Sequence, residues 1–174
     1  MKQRLLLAIF CLPLLSACSS LPFARHNYAE TRIFISDYST AWSATLEAIA
    51  QGKDIIKIQN REQGIIETNW IDNTELQHFL DEFTDEDFFL RSRYKLQVQL
   101  REGKKNGEQP VVLVRVMKFA QIEKTFLGGW DDMESNHIDE KTYLYRIGRL
   151  IAIQQNNEKQ ESLKQQGDDS DLEI

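Results

Sequence analysis

The chain has 174 residues, 41% of them hydrophobic, with 21 Lys and Arg against 27 Asp and Glu for a formal net charge of −6. That length suits one domain with tails, and the apolar content suffices for a core. The acidic balance argues against a nucleic-acid partner, because phosphate binding needs a basic face.

The first stretch, MKQRLLLAIFCLPLLSAC, joins a short basic start (Lys2, Arg4) to an apolar run from Leu5 to Leu15 and then to small residues before Cys18. This is the form of a secretory signal, and it is too short for a spanning helix, which needs roughly 20 apolar residues. Leu15-Ser16-Ala17-Cys18 resembles the lipobox of bacterial lipoproteins. The resemblance implies a diacylglycerol on the Cys18 thiol, cleavage before Cys18 and an acyl chain on the new amine. Two or three acyl chains anchor a protein firmly where one holds it marginally. The alternative is an ordinary signal cut near Ala17, leaving Cys18 as a free thiol. Ser19 follows the cysteine where Asp would signal retention in the inner membrane, so the sorting rule of such lipoproteins favours the outer membrane. Loss of residues 1–17 removes Lys2, Arg4 and Cys11 and no acid, leaving 157 residues with a net charge near −8. No disulfide can then form, so packing must hold the fold. Residues 18–28 read as a short lipidated spacer. It keeps the folded part within roughly 30 Å of the bilayer at about 3.3 Å per extended residue.

The globular domain is expected over 29–155. Glu30–Ser36 alternates as a first strand, with Ile33 and Ile35 on one side and Arg32, Phe34 and Ser36 on the other. Asp37–Thr40 offers N-caps for a helix to Gln51, whose stripe is Trp42, Leu46 and Ile49 with Ala41, Thr45 and Ala48, and Gly52 marks its stop. Asp54–Gln59, with Ile56 and Ile58 inward, and Ile65–Ile71, with Ile66, Thr68 and Trp70 on one face, form a hairpin around a turn ending at Gly64. Asp72–Leu90 breaks the pattern with seven acids and no Lys or Arg. Leu76, Phe79, Leu80 and Phe83 keep helical spacing there, which predicts a short amphipathic helix. It either covers the core and shows its charges to water, or presents Phe79, Phe83, Asp85, Glu86 and Asp87 to a partner. Arg91–Glu102 places Tyr94, Leu96, Val98 and Leu100 on one face and Arg93, Lys95, Gln97, Gln99 and Arg101 on the other, as in a sheet with one solvated side. Pro110–Ala120 is its partner across the Asn106-Gly107 tip. Phe126–Asn136 is a loop whose Trp130, following Gly128-Gly129, is either a partner anchor or a residue folded back on the core. Asp139–Gln155 closes the domain as a helix, and the polar residues 156–174 read as a disordered tail. The expected fold is α+β: an antiparallel sheet of about five strands against two main helices, in the order β-α-β-β-(acidic helical insertion)-β-β-α.

No catalytic signature is present. His26, His78 and His137 have no second His or Cys at ligand spacing, so no zinc site is expected. Asp85-Glu86-Asp87 lacks the glycine of an EF-hand loop and leaves at most a weak calcium contact. A nucleophile elbow, a P-loop and a catalytic Cys are all missing, and no cofactor is expected.

The element order and the words Ala41-Trp42, Gly64-Ile65-Ile66-Glu67-Thr68-Asn69-Trp70 and Arg93-Tyr94-Lys95-Leu96 resemble one domain of the BamC (NlpB) lipoproteins, over about Glu30 to Ile153. The resemblance implies a helix-grip fold and a non-enzymatic outer-membrane lipoprotein attached to the machine that inserts β-barrels. The family carries a long N-terminal clasp and two globular domains; here the spacer is about ten residues and one domain follows, so the clasp does not carry over. The expected function is an accessory that binds an envelope protein complex. The alternatives are an accessory of a secretion, pilus or flagellar system, and a carrier holding a small ligand or lipid under the first helix.

Overall fold

A computed structural model of the chain describes residues 29–81 and 88–170, with side chains described up to Gln77 in the first part and Lys164 in the second. Cys18, Phe83, Asp85, Glu86 and Asp87 lie outside the described residues, as does the side chain of Phe79. The elements run β1 (Glu30–Ile35), α1 (Tyr38–Gln51), β2 (Ile56–Asn60), β3 (Ile65–Thr68), β4 (Ile71–Asp72), α2 (Thr74–Asp81), β5 (Arg91–Lys105), β6 (Gln109–Glu123), β7 (Asp131–Met133) and α3 (Ile138–Ser170). This is the expected α+β order with two short strands added. Every strand pair is antiparallel. The main sheet runs β1-β6-β5-β3-β2, while β4 extends the pairing along β5 and β7 along β6.

The β5–β6 hairpin is the spine. Its register runs from Arg91↔Glu123 to Lys105↔Gln109. The tip holds Asn106 and Gly107 at φ 53° and 81°, the doubly positive pattern of turns that follow strand twist. Leu96, Val98 and Leu100 of β5 and Val112, Val114 and Val116 of β6 are buried beneath the helices. α1 leaves the β1 edge and crosses to the β2 edge at the opposite side, so the strands that flank it in sequence bracket the whole sheet. Asp37 caps it, Oδ1 accepting from the Thr40 N–H at 2.9 Å. Ala41, Trp42, Thr45, Ala48 and Ile49 are buried as the stripe predicts, and they fill the space between α1 and its neighbours. α3 lies beside α1, burying Tyr143, Leu144, Ile147 and Ile151. Its helical course continues through the polar residues after Gln155 to Ser170, where the sequence suggests a disordered tail.

Gly52 does not end α1 by adopting a left-handed conformation. Its φ is −72°, and the residue at positive φ (63°) is Lys53. Gly52 is there for space, because a Cβ would run into the Tyr143 hydroxyl. Gly148 of α3 works similarly: a Cβ there would press on the Phe34 ring at 2.8 Å. This seat decides which side of β1 faces the core. Phe34 is buried, while Ile33 and Ile35 are 62% and 50% exposed on the other sheet face.

Two irregularities shift side chains away from their expected faces. Between β2 and β3, Ile56 opposes Thr68 and Ile58 opposes Glu67, so Lys57 is an extra residue. Ile58, expected inward with Ile56, is therefore exposed on the Glu67 face. Between β3 and β4, Glu67 opposes Gln97 but Ile71 opposes Tyr94, so four steps on one strand match three on β5. Ile66 and Thr68 are buried, but Trp70, expected on their face, is turned to the opposite one. The Thr68 hydroxyl bridges the break. It accepts the Leu96 N–H at 3.0 Å and donates to the Asn69 carbonyl at 3.0 Å. The buried backbone group is thus satisfied without a ladder partner.

Candidate functional site

The face of the sheet away from α1 and α3 carries the alternate residues of the spine, and Arg91, Arg93 and Lys95 follow one another along it. Trp70 reaches this row from the β4 flank and Trp130, just before β7, from the β7 flank. The Arg93 guanidinium carbon lies 3.9 Å from the centre of the Trp130 ring and 4.4 Å from that of Trp70. Arg91 also approaches Trp130, at 5.3 Å, and Lys95 lies 5.4 Å from Trp70 and 5.3 Å from Phe119. Each contact is within the range where a cation is drawn to an aromatic face, worth about 0.5–1 kcal/mol at exposed sites and more as water is excluded.

Polar partners fix the row further. Gln121 Oε1 accepts from Arg93 Nε at 3.0 Å and Nη2 at 2.8 Å, and the Gln121 amide donates to Asp132 at 3.0 Å. Glu123, nearly buried, takes Arg91 at 2.6 Å. Glu67 takes Lys95 at 3.0 Å. The result is a half-exposed platform of two indoles, one phenyl ring and three cations, held by polar neighbours on β3, β6 and β7. Such groups bind by stacking and directed hydrogen bonds, and the residue types match those that dominate protein interfaces.

Of the residues singled out from the sequence, the structure brings Trp130 into this site. It does not fold back on the helix-side core: it lies half-buried against Arg93 and Arg91. Phe79 belongs to α2, and Cys18, Phe83, Asp85, Glu86 and Asp87 stay outside what is described. Sequence reasoning missed Trp70, Phe119 and the use of Arg93 and Lys95. Alternation placed the two cations outward, but Trp70 required the bulge after Thr68.

Two other polar places differ in character. A groove of about 690 Å³ runs between β4, the start of α2 and the beginning of β5, lined by Asp72, Thr74, Glu75, Leu76, Arg91 and Tyr94 among others. Inside the domain, the Tyr143 hydroxyl donates to Asp54 Oδ2, and the Tyr94 hydroxyl lies 3.5 Å from Oδ1. This ties the segment after α1 to α3 and β5. Burial pushes the Asp54 carboxyl above its ordinary 3.8, against the two hydroxyl bonds that favour the anion, and the Tyr94 and Tyr143 hydroxyls are raised by burial and by Asp54. Among the described residues no three His, Cys, Asp or Glu side chains gather as a metal site, and no helix is long and apolar enough to cross a membrane.

The sign for Asp54 follows from linkage. Well below pH 3.8 the group is protonated folded and unfolded alike, and the shift has no effect. As pH rises through 3.8 the unfolded carboxyl ionises first, so stability falls until the folded-state value is passed and is level above it. Asp54→Asn cannot ionise. Urea unfolding from about pH 3.5 to 7 should show the stability of Asp54→Asn minus that of wild type rising through the acid range and then flattening. A difference independent of pH would mean that Asp54 is not shifted.

Comparison with protein-family models yields no match, and no curated protein matches the sequence.

Proposed function

We propose that this chain is a lipid-anchored, non-enzymatic binding module of a bacterial envelope. It is tethered through acylated Cys18, faces the periplasm from the outer membrane, and docks an envelope protein complex through the open sheet face; barrel assembly is the system that the BamC-like order of elements suggests. The observation that supports this reading best is the Trp70–Arg93–Trp130 platform. Aromatic and arginine side chains stand fixed on a sheet face that α1 and α3 leave uncovered. The lipobox-like ending at Cys18 supplies the anchor.

A photo-crosslinking residue at Gln99, on the platform's sheet face, tests the docking reading against the same residue at Glu47, on the solvent side of α1. The Gln99 probe is expected to capture an envelope protein in native membranes and the Glu47 probe is not. Peptide mass spectrometry of the adduct separates barrel assembly from secretion, pilus or flagellar machinery. Capture at Glu47 alone, or at neither, overturns the docking face. Cys18→Ala should leave the chain soluble after cell disruption, and a soluble wild type would overturn the anchor.

A further inference from the structure

We propose that Arg93 is a carboxylate receptor, its guanidinium presented by Trp70 and Trp130 to take an acidic side chain of the protein that docks on the sheet face. This rests on the docking reading and gives it a chemistry. Three cations stand in a row on β5, and two already hold a carboxylate of their own: Arg91 has Glu123 at 2.6 Å and Lys95 has Glu67 at 3.0 Å. Arg93 differs. Its contacts among the described residues are the amide oxygen of Gln121 and two indole faces. These orient the guanidinium, and among the described residues no carboxylate is in contact with it. Burial and the like charge of Arg91 work against the Arg93 cation and outweigh the attraction of Glu123, a balance that an anion in direct contact with the guanidinium would improve.

The donors left over define the anion. A guanidinium has five N–H bonds in a rigid fork. Gln121 engages Nε and Nη2. Both hydrogens on Nη1 and the second on Nη2 remain; one from each nitrogen forms the end edge that meets a carboxylate through two parallel bonds. A single cation without a contacting carboxylate suits a singly charged carboxylate better than a phosphate dianion. The uncovered part of Trp70, 37% exposed, gives an apolar neighbour of that acid a surface to rest on.

The three tryptophans make the test internally controlled, because Trp42 is buried under α1. The full mature chain in detergent is titrated with a blocked peptide of alternating Leu and Glu, with its Leu–Gln counterpart, and with inorganic phosphate, while the indole N–H signals are followed by NMR. The Leu–Glu peptide should shift the Trp70 and Trp130 signals and leave Trp42 unmoved, and neither control should do so. Arg93→Lys, which keeps the charge but not the fork, should weaken binding at least tenfold, and Arg93→Ala should abolish it, with cooperative unfolding and an unmoved Trp42 signal showing that both variants fold. Equal responses to phosphate or to the Gln peptide, or an Arg93→Ala response equal to wild type, overturn the proposal. Placing Arg93→Ala behind the Gln99 crosslinker separates the two readings. Undiminished capture removes the carboxylate receptor and leaves the docking face standing, whereas absence of capture in the wild type removes the docking face itself.

Discussion

Gly64→Ala should lower the free energy of unfolding by about 3 kcal/mol, combining a left-handed backbone cost of roughly 1–2 kcal/mol with the disturbance of a buried hydrogen bond. Gly64 sits at φ 67° where the turn after β2 enters β3. Its carbonyl accepts the Leu100 N–H at 2.8 Å, and an added Cβ would collide with the Leu100 carbonyl oxygen. An alanine must therefore tolerate the unfavourable φ and also push β3 away from β5. Gly107 is the control, because it has φ 81° at the hairpin tip with nothing within 4 Å of an added Cβ. Gly107→Ala isolates the conformational cost, about 1 kcal/mol. Urea denaturation of both variants measures the difference. Equal losses would show that the approach of β3 to β5 does not depend on the missing side chain.

Much of this fold is legible wherever one periodicity holds over a long stretch. From Arg93 to Arg101 every second residue is apolar, and the structure buries Leu96, Val98 and Leu100 as that pattern requires. The α1 stripe is read nearly as well: Trp42 and Ile49 are buried with Ala41, Thr45 and Ala48, while Leu46 is partly buried against the same core. The pattern fails where a strand is apolar on both faces or where one residue is inserted. β6 offers Val111 and Leu113 on one face and Val112 and Val114 on the other, so β1 finds an apolar partner row whichever way it turns. The choice falls to Phe34 because Gly148, more than a hundred residues away, leaves room for its ring. No local rule contains that pairing. Lys57 and the break after Thr68 each advance a strand by one residue, which inverts every side chain beyond them.

The candidate site was half legible for the same reason. The outward cations were read from alternation, and Trp130 was singled out by its glycines. What joined them was Trp70, and its position is the product of an inserted residue rather than of the pattern. An insertion that turns an indole from a core face to an open one sacrifices apolar burial, which a fold has reason to accept where the exposed ring does something.

Thr68→Val therefore joins stability and site in one measurement. Valine matches threonine in shape but offers no acceptor, and the Leu96 N–H behind it is buried, so the substitution should cost about 2 kcal/mol, the penalty of a buried donor left without a partner. Thr68→Ser keeps the hydroxyl and loses a methyl group, and should cost about 1 kcal/mol. If packing alone held this position the order would reverse, with valine the milder change. The second readout is the indole spectrum. The Thr68 hydroxyl also holds the Asn69 carbonyl, one residue before Trp70. Losing it should move the Trp70 and Trp130 signals together through their shared contact with Arg93, while Trp42 keeps its position and the serine variant stays close to wild type. A valine variant that loses stability but leaves both outer indoles unmoved would separate the bulge from the platform. The orientation of Trp70 would then have to come from its stacking on Arg93 and not from the backbone break that precedes it.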